Sequence, residues 1–248
     1  MSLDNTPNFL DPSLPTLNIG HPAIMNFRGV EVVIPDGLLE GALQELGSLE
    51  RILPSEPPSR ETGIGILRRI FLIVDQVGTL LSTGMSCRSG CAACCRVMVA
   101  TTRGEAELLN DGIQKRSETE RTRWSGTIRE RNALLGEIAG KHSPPADLTR
   151  LDGLIETCES YEHEDQPCPF LGPDRLCQIY EDRPLLCRIC WVLTDPRDCE
   201  PGEGPPVKFR TAVFHRAHEL VGKVAVHHFR DDRVSPIPYW FREENGIG

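Results

Sequence analysis

The sequence has no surplus of positive charge. Its 27 Lys and Arg residues stand against 36 Asp and Glu, giving a formal net charge of −9 and a pI near 5.3. Nucleic-acid-binding domains and polybasic membrane anchors carry the opposite balance, so neither class of partner is expected. The one locally basic stretch, Lys115 to Arg131, is interleaved with Glu118, Glu120 and Glu130 and reads as a solvated helix face with i, i+4 pairing. A long apolar run is missing too. The greasiest stretch, Gly63 to Leu81, is broken by Arg68, Arg69 and Asp75, charges that make a bilayer crossing costly, so no membrane span is expected. The N-terminal residues lack a basic start followed by an apolar run and a small-residue cleavage site, and the expected location is the cytoplasm. No internal repeat or long low-complexity tract is visible.

What the chain does have is ten cysteines in 248 residues. Stable disulfides are rare in a reducing cytosol, where clustered thiols more often bind metal or do redox chemistry. The rest of the chain reads as mainly α. Residues 1–35, with Pro7, Pro12, Pro15, Pro22 and Pro35, read as an extended N-terminal arm with a short strand at Val30 to Ile34. Asp36 is placed to cap a helix carrying Leu39, Leu43, Leu46 and Leu49, which Pro54, Pro57 and Pro58 end. Ser59 opens the next helix, with Ile66, Ile70, Val74, Val77 and Leu81 as its apolar stripe.

Thr102 with Glu105 and Ser117 with Glu120 both fit the capping box, in which hydroxyl and carboxylate satisfy free amides reciprocally. The second of these helices carries Trp124, Ile128, Leu135 and Ile138. A helix from beyond Pro145 to about Tyr161 should bury Leu151, Leu154, Ile155 and Cys158, and a last one should span roughly Phe209 to Phe229. The expected organisation is an arm over 1–35, a helical cysteine-cluster domain over 36–230, and a C-terminal tail over 231–248.

The chemistry sits in two cysteine-rich segments. The first holds Cys87, Cys91, Cys94 and Cys95; the second runs through Cys168, Cys177, Cys187 and Cys190. Short spacings turn successive thiolates toward one ion, whereas adjacent cysteines point apart and call for a second ion or a bridging role. Neither segment alone closes a four-thiolate site with the remaining cysteines accounted for. Folding should therefore bring the two irregular loops together on one metal centre.

These residues resemble the YkgJ-like cysteine-cluster family, named for zinc or iron chelation. Its Cys-x3-Cys-x2-Cys-Cys opening is matched by Cys87 to Cys95. Its Cys-Pro-Phe-Leu is matched by Cys168 to Leu171, and its Cys-x-Ile-Tyr-x-x-Arg-Pro-x-x-Cys-Arg by Cys177 to Arg188. The resemblance covers roughly residues 87–188; the long insert from Arg96 to Pro167 and the extra Cys158, Cys190 and Cys199 depart from the compact family form. It implies that the matching cysteines are metal ligands, and that Arg183 and Arg188, which share the motif, compensate the charge of the centre or donate to sulfur.

Cys190, one helical turn past Cys187, joins the ligand set. Cys158, on an apolar helix face, reads as core filler. Cys199 is balanced between ligand and exposed thiol. His215, His218, His227 and His228 read as solvated or dipole-compensating.

Three other motif readings compete with this one. The Cys87-x3-Cys91-x2-Cys94 spacing is shared with radical S-adenosylmethionine enzymes, but their alternating barrel pattern is absent. A zinc ribbon built on Cys91, Cys94, Cys187 and Cys190 leaves Cys87, Cys95, Cys168 and Cys177 unexplained. Nucleophilic catalysis would need a Cys–His pair, and only His163 lies near the cysteine segments in sequence. The expected cofactor is an iron–sulfur cluster of the [4Fe–4S] type, with zinc as the alternative. The expected role is redox or protein-modifying, as an iron–sulfur oxidoreductase or a cluster-dependent methylase by analogy with flagellin lysine N-methylases, whose cysteine-rich segment is similar. The implied partners are the ion or cluster and a protein substrate or redox partner. The alternative is a non-catalytic zinc-binding or metal-handling protein with a structural four-thiolate site.

Overall fold

The computed structural model describes residues 24–199 and 206–247 of the chain, so Pro7, Pro12, Pro15 and Pro22 of the expected arm lie outside the described residues. The helices in chain order are α1 Leu38–Ile52, α2 Arg60–Leu81, α3 Arg103–Gln114, α4 Glu118–Gly140, α5 Leu151–His163, the short α6 Leu185–Ile189, α7 Ala212–Val224 and the single turn α8 Ile237–Trp240. Two small antiparallel ladders complete the described fold: β1 Ala100–Thr102 with β4 Val234–Pro236, and β2 Trp191–Val192 with β3 Lys208–Phe209. The chain is mainly α, as its periodicity predicts. No helix among the described residues is long and apolar enough to cross a membrane.

The helix starts follow their capping chemistry. Ser59 accepts from the Thr62 amide at the start of α2, and both capping boxes form, Thr102 with Glu105 before α3 and Ser117 with Glu120 before α4. The start of α1 differs from expectation. Gly37, at φ 74°, occupies the cap position with no side-chain cap bond, and only glycine adopts that left-handed conformation without a Cβ penalty. Asp36 is thus displaced outside the cap.

Four apolar clusters form among the described residues, the smallest around Ala106, Trp240 and Ile247. In the first, α1, α2 and α7 pack together around Leu46, Leu67, Ile70, Val213 and Val224, each at most marginally exposed. The second joins α4 and α5 through Leu135, Ile138, Leu154 and Tyr161. The third lies beneath the second cysteine segment, where Leu109, Trp124 and Ile128 meet Phe170, Ile179 and Ile237. Of the expected core residues of α5, Leu154 is buried but Ile155 is 40% exposed, because only the face toward α4 is covered.

Four further features depart from the sequence reading. Val30 to Ile34 forms no strand; a single bridge joins Met25 and Glu31. The expected last helix begins at Ala212, since Phe209 pairs with Trp191, and its end is a π turn over Ala225–Phe229. His228 is 6% exposed and accepts from the Ser59 amide through Nδ1, while His227 bonds the Glu56 carbonyl, so these histidines tie the π turn to the start of α2 rather than facing solvent. The stretch expected as a tail packs inward. Its β4 pairs with β1, and fully buried Trp240 donates its indole N–H to the Thr101 carbonyl at 3.0 Å.

His218 on α7 has a pH consequence. Burial first, then the neighbouring His215, pushes its imidazole down to about 4. Below the ordinary histidine value of about 6.5 the unfolded chain takes up a proton that the folded chain refuses, so stability falls as pH drops from there toward 4. Urea unfolding at pH 7.5 and pH 5.0 should show the parent chain losing up to about 2 kcal/mol more between the two conditions than the His218→Gln variant. Equal losses in the two proteins would remove His218 as the source.

Candidate metal centre

The first cysteine segment is pinned where it leaves the helical core. Ser86 is buried, its amide donating to the Val192 carbonyl at 3.0 Å and its hydroxyl to the Leu193 carbonyl at 2.9 Å. These bonds set Cys87 beside β2, where its thiol reaches the Cys190 carbonyl at 3.7 Å and its sulfur faces the Val192 amide. A turn from Arg88 to Cys91 follows, and then a 3-10 turn over Ala93–Arg96 that carries Cys94 and Cys95.

The second segment opens with a tight hairpin. Leu171 bridges Cys177, the Gly172 amide donates to the Leu176 carbonyl at 2.8 Å, and the Gln178 amide donates to the Phe170 carbonyl at 2.9 Å. Phe170 anchors it in the third core, edge-on to Trp124 with ring centroids 5.3 Å apart. The sulfur of Cys168 faces the Phe170 amide and that of Cys177 the Ile179 amide, in each case the amide two residues on. Amides so placed stabilise a thiolate held there. The two segments join directly, because the Cys168 amide donates to the Cys95 carbonyl at 2.6 Å.

Cys187 sits in α6, whose start is held by the buried Glu105 carboxylate accepting from the Leu185 amide at 2.9 Å. Arg188, only 3% exposed, donates to the Arg183 carbonyl at 2.9 Å and the Glu181 carbonyl at 2.5 Å, and ion-pairs with Asp75 of α2. Arg183 reaches the same carboxylate at 3.4 Å and lies over the Tyr180 ring at 3.6 Å. The 3-10 turn Tyr180–Asp182 comes close against α3 at Gly112, where a Cβ would stand 2.4 Å from the Asp182 carboxylate oxygen. A glycine there is what permits the approach.

Cys87, Cys91, Cys94, Cys95, Cys168, Cys177, Cys187 and Cys190 all line a single cavity of about 550 Å³, with Arg183 and Arg188 on its wall. Apolar side chains, among them Leu135, Tyr161, Phe170 and Trp191, make up much of the remainder. Cys158 is elsewhere, packed against the second core with its thiol 3.4 Å from the Glu162 carboxylate. Arg96 pairs with Asp165 rather than with the cysteines. Among the described residues, no three His, Cys, Asp or Glu side chains are gathered tightly enough to hold an ion as they stand. The thiols share a cavity wall rather than a common point.

Burial dominates the electrostatics. It pushes the Cys87 thiol up to about 11 and the Cys168 thiol up to about 12, and raises Cys177 and Cys187 as well. Cys190 is raised too, first by its hydrogen bond with Cys94 and then by burial. Positive charge acts the other way: Arg183, Arg188 and Arg116 pull Cys177 down, as Lys208 and Arg210 do Cys190. An all-sulfur donor set with amides and cations turned toward it fits zinc or an iron–sulfur cluster. Asp75 and Glu105 are the supporting residues that the sequence reading did not single out for this role. The signal for Asp75 was present: a lone acid among the apolar positions of α2 needs a buried partner.

The family model described as "CxxCxxCC: Putative zinc- or iron-chelating domain" matches residues 86–200, enclosing the span of the expected resemblance. No curated protein and no solved structure gives a significant match to the chain.

Arg188→Gln would leave Asp75 without its closest cation and free two carbonyls that the guanidinium holds. Breaking a buried pair from one side costs about 3–5 kcal/mol, and the partial exposure of Asp75 places the expected loss near the lower end of that range. Guanidinium denaturation of the purified variant measures it. A loss under about 1 kcal/mol would mean that the pair behaves as a surface ion pair.

Proposed function

We propose that the chain binds a metal centre through cysteine thiolates drawn from the eight that line its cavity, and that this centre is an iron–sulfur cluster with a redox or protein-modifying role in the cytoplasm. The observation that carries the reading is the meeting of both cysteine segments on one cavity of about 550 Å³. A structural zinc ion takes four ligands in a closed tetrahedron, which uses half of these thiols and little of this space. Eight thiols around a cavity of that size suit a cluster better.

When bound, such a cluster supplies one-electron transfer. The chain's own groups do the rest. The amides of Val192, Phe170 and Ile179 face the sulfurs of Cys87, Cys168 and Cys177 and would hold them as thiolates. Arg183 and Arg188 place positive charge beside a site whose thiolates carry negative charge. The apolar wall of Leu135, Tyr161 and Trp191 limits water and offers an apolar group of a protein substrate somewhere to rest near the sulfurs.

Anaerobically purified protein should contain iron with acid-labile sulfide and show broad brown charge-transfer absorption. Stoichiometric zinc in a colourless, folded protein would overturn the cluster and leave a structural four-thiolate site. Cys187→Ser should lose metal and lower the unfolding midpoint together, since binding free energy at such sites is also folding free energy. Cys158→Ala should keep its metal; an equal loss from both variants would make the helix-borne cysteine a ligand.

A further inference from the structure

The charge of the cavity mouth runs against that of the chain. The sequence carries 36 Asp and Glu against 27 Lys and Arg. Among the described residues, however, the cavity is lined by four arginines, Arg88, Arg175, Arg183 and Arg188, and by no acidic side chain. Arg183 and Arg188 are largely buried and share the Asp75 carboxylate. Arg88, in the turn of the first cysteine segment, and Arg175, at the tip of the hairpin, are exposed. The acids of the surrounding turns are engaged with other groups. Asp195, on which Arg88 acts, pairs with Arg197 at 2.8 Å, and Asp174 turns back to accept from the Leu176 amide at 3.1 Å.

The basic stretch from Lys115 to Arg131 adds to this charge. Its Lys and Arg side chains make no ion pair among the described residues, contrary to the i, i+4 pairing its sequence suggests, and three of its arginines reach across to the second cysteine segment. Arg116 donates to the Gln178 carbonyl at 2.8 Å, Arg123 to the Gln178 side-chain oxygen at 2.5 Å, and Arg131 to the Pro167 carbonyl at 3.4 Å. A carbonyl partner fixes a guanidinium without cancelling its charge, and donors remain among its five N–H groups. The interleaved Glu120 is committed to the Ser117 cap. Between the cations the rim is apolar: Leu176 and Tyr180 are both exposed where they border the cavity.

We propose that the cavity mouth is the docking surface for an acidic protein segment, which seats an apolar side chain in the cavity while its flanking carboxylates pair with Arg88 and Arg175. This rests on the reading of the cavity as the functional site and adds to it the chemistry of the partner. The planar fork of an arginine takes a carboxylate through two parallel bonds. The acidic remainder of the surface repels such a segment, so long-range charge steers it to the mouth. Nucleic acid shares the negative charge but gains its hold by stacking bases on exposed aromatic rings. Tyr180 is the one exposed aromatic on this rim among the described residues, whereas the apolar wall behind it, with Met98, Leu135 and Ile237, suits a side chain.

The test uses the full chain, purified anaerobically, and short fluorescent peptides read by anisotropy: a Phe flanked by Glu, the same Phe flanked by Lys, and a Ser flanked by Glu. The Glu-flanked Phe peptide should bind most tightly and weaken as salt is added. The double variant Arg88→Glu with Arg175→Glu changes two exposed side chains outside the cysteines. It should keep the parent's metal content and helicity while binding that peptide about tenfold more weakly or worse. No binding to the parent, equal binding to parent and variant, or equal affinity for any two of the three peptides would overturn the docking surface and leave metal binding intact. A single-stranded oligonucleotide bound as tightly, with the same dependence on the two arginines, would overturn it in favour of nucleic acid. Phenylacetate displacing the peptide at equal concentration would overturn it in favour of a small organic acid. A parent that retains no metal yet binds the peptide through the two arginines would overturn the metal centre alone.

Discussion

A guanidinium taken out of water must be met on every side, and Arg188 is met by two carbonyls, a carboxylate and an aromatic face. Its nearest partners are the Arg183 and Glu181 carbonyls, Asp75 on α2, and the Phe71 ring at 4.5 Å. α6 is five residues long and has no helical stability of its own. What keeps it in place is Arg188 at one end and the Glu105 carboxylate on Leu185 at the other. Cys187 lies between these two fastenings. The position of the second cysteine segment is therefore set by two acids on α2 and α3, outside the cysteine motif itself.

Desolvation shapes the cysteines themselves. Buried thiols with raised proton affinity are neutral at ordinary pH, which lets the chain bring many of them to one cavity without mutual repulsion. A metal ion reverses that balance by making the thiolate the favoured form. The cost of burying sulfur is met by neighbouring amides and arginines, some from the local turns of the motif and others, such as Arg116 and the Val192 amide, from outside it.

The capping boxes, the α2 stripe and the meeting of the two cysteine segments were legible because each depends on residues close in sequence or on a spacing with one dominant reading. The features that were not legible depend on distant partners. Phe209 reads as the start of a helix until Trp191 is seen beside it. Residues 234–240 read as a tail, yet they close a ladder on β1 and bury Trp240. His228 looks solvated on its own helix, but Ser59 approaches it from a segment far away in sequence. Cys199, balanced in the sequence between ligand and exposed thiol, lies in a 3-10 turn that packs against the Ala93–Arg96 turn, a neighbour its own sequence surroundings do not announce.

The bond from the Cys168 amide to the Cys95 carbonyl also closes a circuit. The chain leaves the first cysteine segment at Arg96, runs through β1 and three helices, and returns to the residue next to its point of departure. An excursion that begins and ends at one place can lengthen or shorten with little change in the geometry at its neck, since closure entropy grows only with the logarithm of loop length. The lobe is not a free module, however: its Leu109, Trp124 and Ile128 pack beneath the second cysteine segment and its Glu105 holds α6, so such variation in length belongs to the lobe's turns away from that contact.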